Sequence, residues 1–522
     1  MRRWQLILAI VGIWLLSTGA YFIHQSSLPK MDVLLTAGDC RTPTTILEPP
    51  PEVQPLGTVI MVHGLAANRR TMDYLGMDFA GHGFRAYLID LPGHGDSKQA
   101  FSFARAEKCA EAVVSSLITA KQVDPRKTIL LGHSMGGAIV IRIADRDPVA
   151  ATIALAPAPM NTPTRMPANL LVFSGQYDFW VLKRQAQALA AAAGGDRTAT
   201  ADFLQQRAFE LVYVPRASHT TPLVDHDVAH EAEEWATRAL FPAIDPKTIV
   251  LNLTLATHDT YNRGRKRLGG AFMGLLGLIL LFPVCCAGLT AKAGAIGIEP
   301  SAATAKPPWS LALAEVAVCG LSAVLLLKVY LPLRFLHLYS GDYLASLMLL
   351  AGAMLLLLNW NYAKTYVTDQ LHANSRQIIV AIVLGFASFL ACSAWLNWQI
   401  ADLWLNSPRW LRFLALLPVA WLFCFAEEVV LGPVDFGKRR ALRFVVSLLM
   451  RFELWLACVF AYFALFSGEA LIVILVISFA AFSVLQRLAT DALRLRTGSA
   501  TAAASFGAIL AAWFIAGVFP LT

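Results

Sequence analysis

From residue 269 to its end the chain runs as eight apolar stretches, about 269–291, 310–331, 342–362, 377–400, 410–430, 443–466, 469–487 and 499–520. Each approaches the ~20 residues that a helix needs to cross the hydrocarbon layer of a bilayer. Backbone polar groups in hydrocarbon must bond within their own segment, so runs of this kind fold as helices. The pattern excludes a single soluble globule and predicts an all-α polytopic transmembrane domain over 269–522. A further run, residues 4–22 behind Arg2 and Arg3, reads as a signal or anchor occupying 1–30. Thr18-Gly19-Ala20 resembles a small-residue cleavage site, which leaves removal of this segment open. Composition agrees: 15% of the 522 residues are charged, against roughly 25% in an ordinary soluble domain.

The formal charge is +8. Many of the basic residues flank apolar runs instead of clustering with aromatic side chains on a polar domain, so no nucleic-acid partner is expected and the charge reads as topology. If residues 31–262 face outward, the inward loops hold Lys292, Lys306, Lys364, Arg376, Lys438, Arg439, Arg440, Arg443, Arg487, Arg494 and Arg496. The outward loops then hold mainly Arg334, Arg409 and Arg412. The cluster Arg263, Arg265, Lys266 and Arg267, in a linker over 246–268, dissents. The majority puts the polar region outside the cytoplasm. Of the eight cysteines, six lie in apolar stretches without CxxC spacing, which argues against zinc. Cys40 and Cys109 are in the polar region, where either a disulfide or two buried free thiols fits, the thiols being the plainer expectation.

Residues 31–245 have the composition of a soluble domain. Short apolar strands at 58–62, 85–90, 127–131, 151–155, 170–174 and 209–214 alternate with helical patterns near 71–80, 101–121, 136–146, 179–193 and 228–240. This alternation predicts an α/β domain with a mainly parallel sheet and helices on both faces.

The strand at 127–131 leads directly into Gly132-His133-Ser134-Met135-Gly136-Gly137 and then a helical pattern. A serine between two glycines at a strand-to-helix turn is lifted clear of the sheet, and the helix N-terminus offers amides to a developing oxyanion. Val62-His63-Gly64-Leu65 ends an earlier strand, and Asp90-Leu91-Pro92-Gly93-His94-Gly95-Asp96-Ser97 follows the next. With these segments, residues 45–240 resemble the α/β-hydrolase superfamily, especially its esterase, lysophospholipase and monoglyceride-lipase-like branch. A serine hydroxyl needs a histidine base and a carboxylate to orient that base. The resemblance implies the order serine, acid, histidine. It assigns Ser134 as nucleophile, Asp178 after the strand at 170–174 as orienting acid, and His219 after the last strand as base. The backbone amides of Leu65 and Met135 are the expected oxyanion donors.

Rivals are few. Asp90 and Asp96 lie early for the acid, and His226 lies too close to the last helix for the base. Asp225, His226 and Asp227 form a polar trio without metal-ligand spacing. His63, His94 and His133 read as loop-ordering residues. Only Pro157 to Asn169 separates the two strands between which many relatives carry a cap, so the site should be open on that side.

In the membrane region Glu427-Glu428 is the main functional suspect, because a charge in hydrocarbon costs several kcal/mol. The pair faintly resembles the CAAX-protease and bacteriocin-processing intramembrane family. Gly432 stands where that family has arginine, and its histidine motifs are missing. Ion pairing with Arg451 or another basic residue is the plainer expectation; Glu315, Arg451 and Glu453 are lesser suspects. Together these readings give a membrane-integrated serine hydrolase that cleaves lipid-like or acyl esters without metal or organic cofactor. An acyltransferase or peptidase with the same residues, and a transporter or scaffold carrying an inert sensor domain, are the alternatives.

Overall fold

A computed structural model describes residues 3–245, 263–293, 307–330, 332–364, 375–397, 402–434, 436 and 440–522. Linker residues 246–262 lie outside these, as do Lys306, Lys438 and Arg439 of the loop charges. The chain divides into two compact units. One comprises Leu15–Leu275, Trp395–Trp404 and Pro520–Thr522; the other Met1–Trp14, Leu276–Ala394 and Leu405–Phe519.

The first unit is built on eight strands: β1 (Lys30–Ala37), β2 (Cys40–Leu47), β3 (Gly57–Val62), β4 (Phe84–Ile89), β5 (Thr128–His133), β6 (Ala151–Leu155), β7 (Leu170–Gly175) and β8 (Phe209–Val214). Their order is β1-β2-β4-β3-β5-β6-β7-β8. Strands β3 to β8 are parallel, while β1 and β2 form an antiparallel hairpin attached to β4. The helices are α1 (Arg3–Gln25), α2 (Asp73–Gly81), α3 (Phe103–Thr119), α4 (Met135–Arg146), α5 (Trp180–Ala193), α6 (Thr200–Leu204) and α7 (His226–Leu240).

The central strands read as nearly unbroken apolar runs because both faces of the sheet are covered. On one face Met61, Leu88, Leu131, Ile153 and Phe173 meet Phe79 of α2 and Ala232 and Trp235 of α7. On the other, Ala154 and Val172 pack with Ile141 of α4 and Leu189 of α5. Side-chain caps begin two of these helices: Ser102 accepts from the Arg105 amide at α3, and Asp225 from the Asp227 and Val228 amides at α7. Because β3 to β8 run parallel, the turns after β3, β5, β7 and β8 gather at one sheet edge.

The hairpin β1–β2 escaped the sequence pattern: β2 contains Pro43 and three threonines and so has no apolar run. Cys40 of β2 and Cys109 of α3 are joined in a disulfide with a Cα–Cα distance of 5.3 Å. This corrects the expectation of two free thiols; both side chains are buried where α3 packs on the hairpin.

Beyond the sheet come α8 (Arg263–Ala293), α9 (Trp309–Val329), α10 (Gly341–Leu358), α11 (Ser375–Asn397), α12 (Ser407–Leu431), α13 (Arg440–Phe463), α14 (Ala470–Ile474), α15 (Val476–Thr497) and α16 (Ala500–Val518). Among the described residues nine helices, α1 included, are long and apolar enough to cross a membrane. The expected run 469–487 is displaced: the short α14 precedes α15, which continues to Thr497. Charges at Arg487, Asp491 and Arg494 mark the end of the apolar run, yet inside the second unit they find partners, and the helix persists. There α12 packs along α16, and Trp421 Nε1 donates to Ser505 Oγ at 3.1 Å.

Candidate active site

Ser134 occupies the turn between β5 and α4 with φ 54° and ψ −116°, a strained conformation for a residue with a side chain. The glycines on either side are there for space. A Cβ on Gly132 would lie 2.2 Å from the Gly136 carbonyl oxygen, and one on Gly136 would lie 2.1 Å from that of Val62. The turn is held by the Ser134 amide donating to the Leu155 carbonyl at 2.9 Å, while the Ser134 carbonyl accepts from Ala158 at 2.9 Å. Met135 is the first residue of α4, so its amide has no partner within the helix. The Gly64 backbone passes close by: a Cβ there would stand 3.1 Å from Ser134 Cβ, which brings the His63-Gly64-Leu65 segment against the serine.

Asp178 and His219 come from the two neighbouring turns. After β7 the Asp178 amide donates to Gly175, and the Tyr177 amide donates across to Ala217, which leads toward His219. His219 Nδ1 lies 3.1 Å from Asp178 Oδ1, and its Nε2 lies 3.0 Å from Ser134 Oγ. The three side chains expected from the sequence are therefore within hydrogen-bond reach in series. Asp178 Oδ1 also accepts from the Phe179 amide at 2.8 Å, and both the carboxylate and the imidazole are buried.

The remaining histidines support this geometry. Burial pushes the His133 pKa down to about 3, so its ring is neutral. Its Nε2 faces the backbone carbonyl of His219 at 2.9 Å and tethers the residue that bears the imidazole. Sequence reading grouped His133 with general loop-ordering residues and had no signal for that carbonyl, 86 residues away. Burial likewise lowers the pKa of His63, whose Nε2 accepts from the Leu91 amide at 3.0 Å and ties the ends of β3 and β4 together. Asp90 and Asp96 are ion-paired to Arg69, not to His219. His226 is the first residue of α7 and Asp225 its cap, which accounts for two of the polar trio.

Around Asp178 the surface is aromatic. Tyr177 is 68% exposed and Trp180 64%. Arg184 stacks over the Trp180 ring at 4.9 Å, and Trp180, Lys183, Arg184 and Tyr213 line an open groove.

In the second unit Glu427 and Glu428 are buried, each with guanidinium partners. Arg451 binds Glu427 through two nitrogens, one contact being 2.6 Å. Glu428 accepts from Arg443 at 2.8 Å and from Arg487 at 3.1 Å, and Arg487 also meets Asp491 at 2.7 Å. Arginines from other helices thus serve these glutamates, although Gly432 supplies none.

The sheet order and the elbow at Ser134 define an α/β-hydrolase fold. Residues 59–273 match the family described as the alpha/beta hydrolase family. A putative non-heme haloperoxidase of Mycobacterium phage D29 is 32% identical over 99 residues, covering 19% of this chain and 34% of that protein. The pimeloyl-[acyl-carrier protein] methyl ester esterase of Nitrosospira multiformis is 34% identical over 92 residues, covering 17% of this chain and 34% of the esterase. The chain thus spans about a third of the length of these curated relatives. Among solved structures, an alpha-beta serine hydrolase homologue from Coxiella burnetii aligns with 20% identity and a TM-score of 0.33, over 40% of this chain and 97% of that one.

Proposed function

We propose that this protein is a membrane-integrated serine hydrolase that cleaves carboxylic esters with lipid-like acyl groups. The observation that carries the reading is the series Asp178–His219–Ser134, with separations of 3.1 and 3.0 Å, ending on a strained elbow. His219 Nε2 takes the proton of Ser134 Oγ as the oxygen attacks the ester carbonyl carbon. The resulting oxyanion is received by the Leu65 and Met135 amides, donors of a kind worth about 3 kcal/mol each. His219 then protonates the departing alkoxide, leaving an acyl-serine. Water, deprotonated by the same nitrogen, attacks the acyl carbon and releases the acid. Asp178 holds the imidazole in the tautomer that accepts at Nε2 and stabilises the imidazolium.

The exposed Tyr177 and Trp180 beside Asp178 favour an amphipathic substrate, since such rings settle where apolar and polar phases meet. Two observations support an extracytoplasmic hydrolase domain. The Cys40–Cys109 disulfide suits an oxidising compartment. Arg267, one of the dissenting basic cluster, is buried 3.7 Å from Asp73 and so serves an ion pair.

The test is labelling with a membrane-impermeant fluorophosphonate on intact cells and on opened membranes. Labelling of intact cells that disappears in Ser134→Ala and weakens in Asp178→Asn and His219→Ala is expected. Labelling only after opening would reverse the orientation. Absence of labelling in folded wild-type protein in both preparations would refute the hydrolase.

A further inference from the structure

The segment carrying the Leu65 amide is held by residues from far down the chain. After β3 the backbone turns at Gly64–Ala67, where the Ala67 amide donates to the Gly64 carbonyl at 3.2 Å, and then reaches Asn68. Asn68 is buried, and its side chain pairs with the backbone of Asp402: Nδ2 donates to the Asp402 carbonyl and Oδ1 accepts from the Asp402 amide, both at 3.3 Å. The same Oδ1 accepts from the Arg70 amide at 3.0 Å, so one side chain both shapes its own turn and grips a segment 334 residues away.

The next residue repeats the arrangement with charge. Arg69 is buried, its amide donates to Asp90 Oδ1 at 2.8 Å, and its guanidinium binds Asp90 and, at 2.6 Å, Asp96. Asp402 Oδ2 lies 3.8 Å from the same guanidinium. Three carboxylates, with oxygens within 4.8 Å of one another, therefore surround one cation. Burial, followed by repulsion from Asp96 and Asp90, pushes the Asp402 carboxyl up to about 7. The turn after β4 has a comparable distant partner, since Phe101 donates to the Leu521 carbonyl and Leu521 donates to that of Gly93 at 3.0 Å.

We infer that the Asn68–Asp402 pair is a positioning device for the oxyanion-binding loop, and that Asp402 is consequently a working part of the hydrolase site. The inference rests on the serine-hydrolase reading above. An oxyanion donor acts only if it is fixed before charge develops. Leu65 is three residues from Asn68, and the turn between them includes Ala66 at a positive φ of 58°, a conformation that needs anchors at both ends. His63 supplies the anchor at one end through Leu91, and Asn68 supplies it at the other through Asp402. Asn68 and Asp402 are both buried, so their effect should fall on turnover and not on substrate binding.

The experiment uses the full chain in detergent micelles and hydrolysis of a water-soluble nitrophenyl ester. Read against Asp402→Ala, which loses only the carboxylate near Arg69, Asp402→Pro deletes the amide that donates to Asn68, and Asn68→Ala removes both bonds to Asp402. Each is expected to lower kcat by roughly 10- to 100-fold with KM nearly unchanged, part of the loss from deleting an oxyanion donor outright. The double variant should lose clearly less than the product of the two single losses, since both remove the one contact they share. Asn68→Asp keeps the bonds to the Arg70 and Asp402 amides and guards against misfolding; an intermediate loss in kcat is expected. Wild-type kcat in folded Asn68→Ala, or additive losses in the double variant, would overturn the inference. Ser134→Ala separates the two levels: activity surviving in that variant refutes the hydrolase reading, whereas loss there with full activity in Asn68→Ala refutes only the positioning device.

Discussion

Two adjacent glycines at the start of α4 give a sharp test of the elbow, because an added methyl would meet very different surroundings at each. In Gly136→Ala the new Cβ would stand 2.1 Å from the Val62 carbonyl oxygen and 2.6 Å from that of His63. Non-bonded contacts become attractive near roughly 3.5 Å, so β3 and the α4 N-terminus must separate by about 1 Å or more. The neighbours are backbone, which cannot swing aside as a flexible side chain would. The atoms forced apart bear the two expected oxyanion donors, Met135 on α4 and Leu65 on the segment after His63. A misplacement of about 1 Å can cost about a hundredfold in rate. The strain of overpacking, about 1–3 kcal/mol, exceeds the ~1 kcal/mol that alanine gains over glycine in a helix. In Gly137→Ala the nearest atoms are Pro157 Cα at 3.1 Å and the Gly132 carbonyl oxygen at 3.2 Å. A relaxation of a few tenths of an ångström suffices there, and the helix-propensity gain offsets it. Both variants are to be assayed as full chains, by ester-hydrolysis kcat, rate of fluorophosphonate labelling and thermal unfolding. Gly136→Ala should lose about two orders of magnitude in kcat and Gly137→Ala less than about threefold. Equal effects, or unchanged turnover in Gly136→Ala, would refute this account of the elbow.

Burial opposes the charged form of His82, but Glu233 at 2.8 Å and the Asp78 carbonyl prevail and raise its pKa to about 9. The stabilisation is complete below an ordinary histidine pKa of about 6.5 and is lost as pH rises through about 9; Asp78, raised to about 7 by burial and Glu233, acts in the same direction. The unit that holds the sheet should therefore melt at lower temperature at pH 9.5 than at pH 6.5, in a scan that Glu233→Gln flattens, and a melting temperature rising over this interval would contradict it. Replacing Cys40 and Cys109 by serine opens a loop spanning 69 residues and should cost about 2–5 kcal/mol, read as a lower denaturation midpoint; an unchanged midpoint, or alkylation of both thiols in unreduced protein, would refute the bond. Glu428→Gln leaves Arg443 and Arg487 with one carboxylate fewer in a buried network and should destabilise the helical unit by about 3–5 kcal/mol. Wild-type thermal resistance of that variant in detergent would show that the network does not hold the helices together.

What the sequence made legible follows from the range over which each feature is encoded. The elbow is a local matter: six consecutive residues contain three glycines, the serine and the helix start, so the turn itself could be read directly. The family resemblance pointed to Asp178 and His219, and they come within reach of Ser134 because parallel strands deliver their following turns to one edge regardless of the intervening sequence. The hairpin β1–β2 has no comparable pattern, since the threonines of β2 are buried by pairing and not by apolar periodicity. Hydropathy located the long helices but misplaced α15, because a charge counts as the end of a span only while its partner is unknown.

The hardest features to read were contacts whose partners are chosen by folding alone. Nothing in the composition around Asp402 distinguishes it from any acidic residue between two apolar runs, and Asn68 reads as an ordinary turn residue. Their pairing uses backbone groups of Asp402, so even the identity of residue 402 carries little of the signal; a substitution there that keeps the amide keeps that hydrogen bond. The Disulfide partners Cys40 and Cys109 differ in this respect, because the side-chain type itself narrows the possible partners and only the choice between bond and free thiols was open. A chain in which Trp395–Trp404 and Pro520–Thr522 belong to the same compact unit as the sheet cannot be cut at residue 245 without removing contacts to the turns after β3 and β4. The boundary drawn from composition marks where polar sequence stops, and the compact unit that holds the sheet also includes later residues.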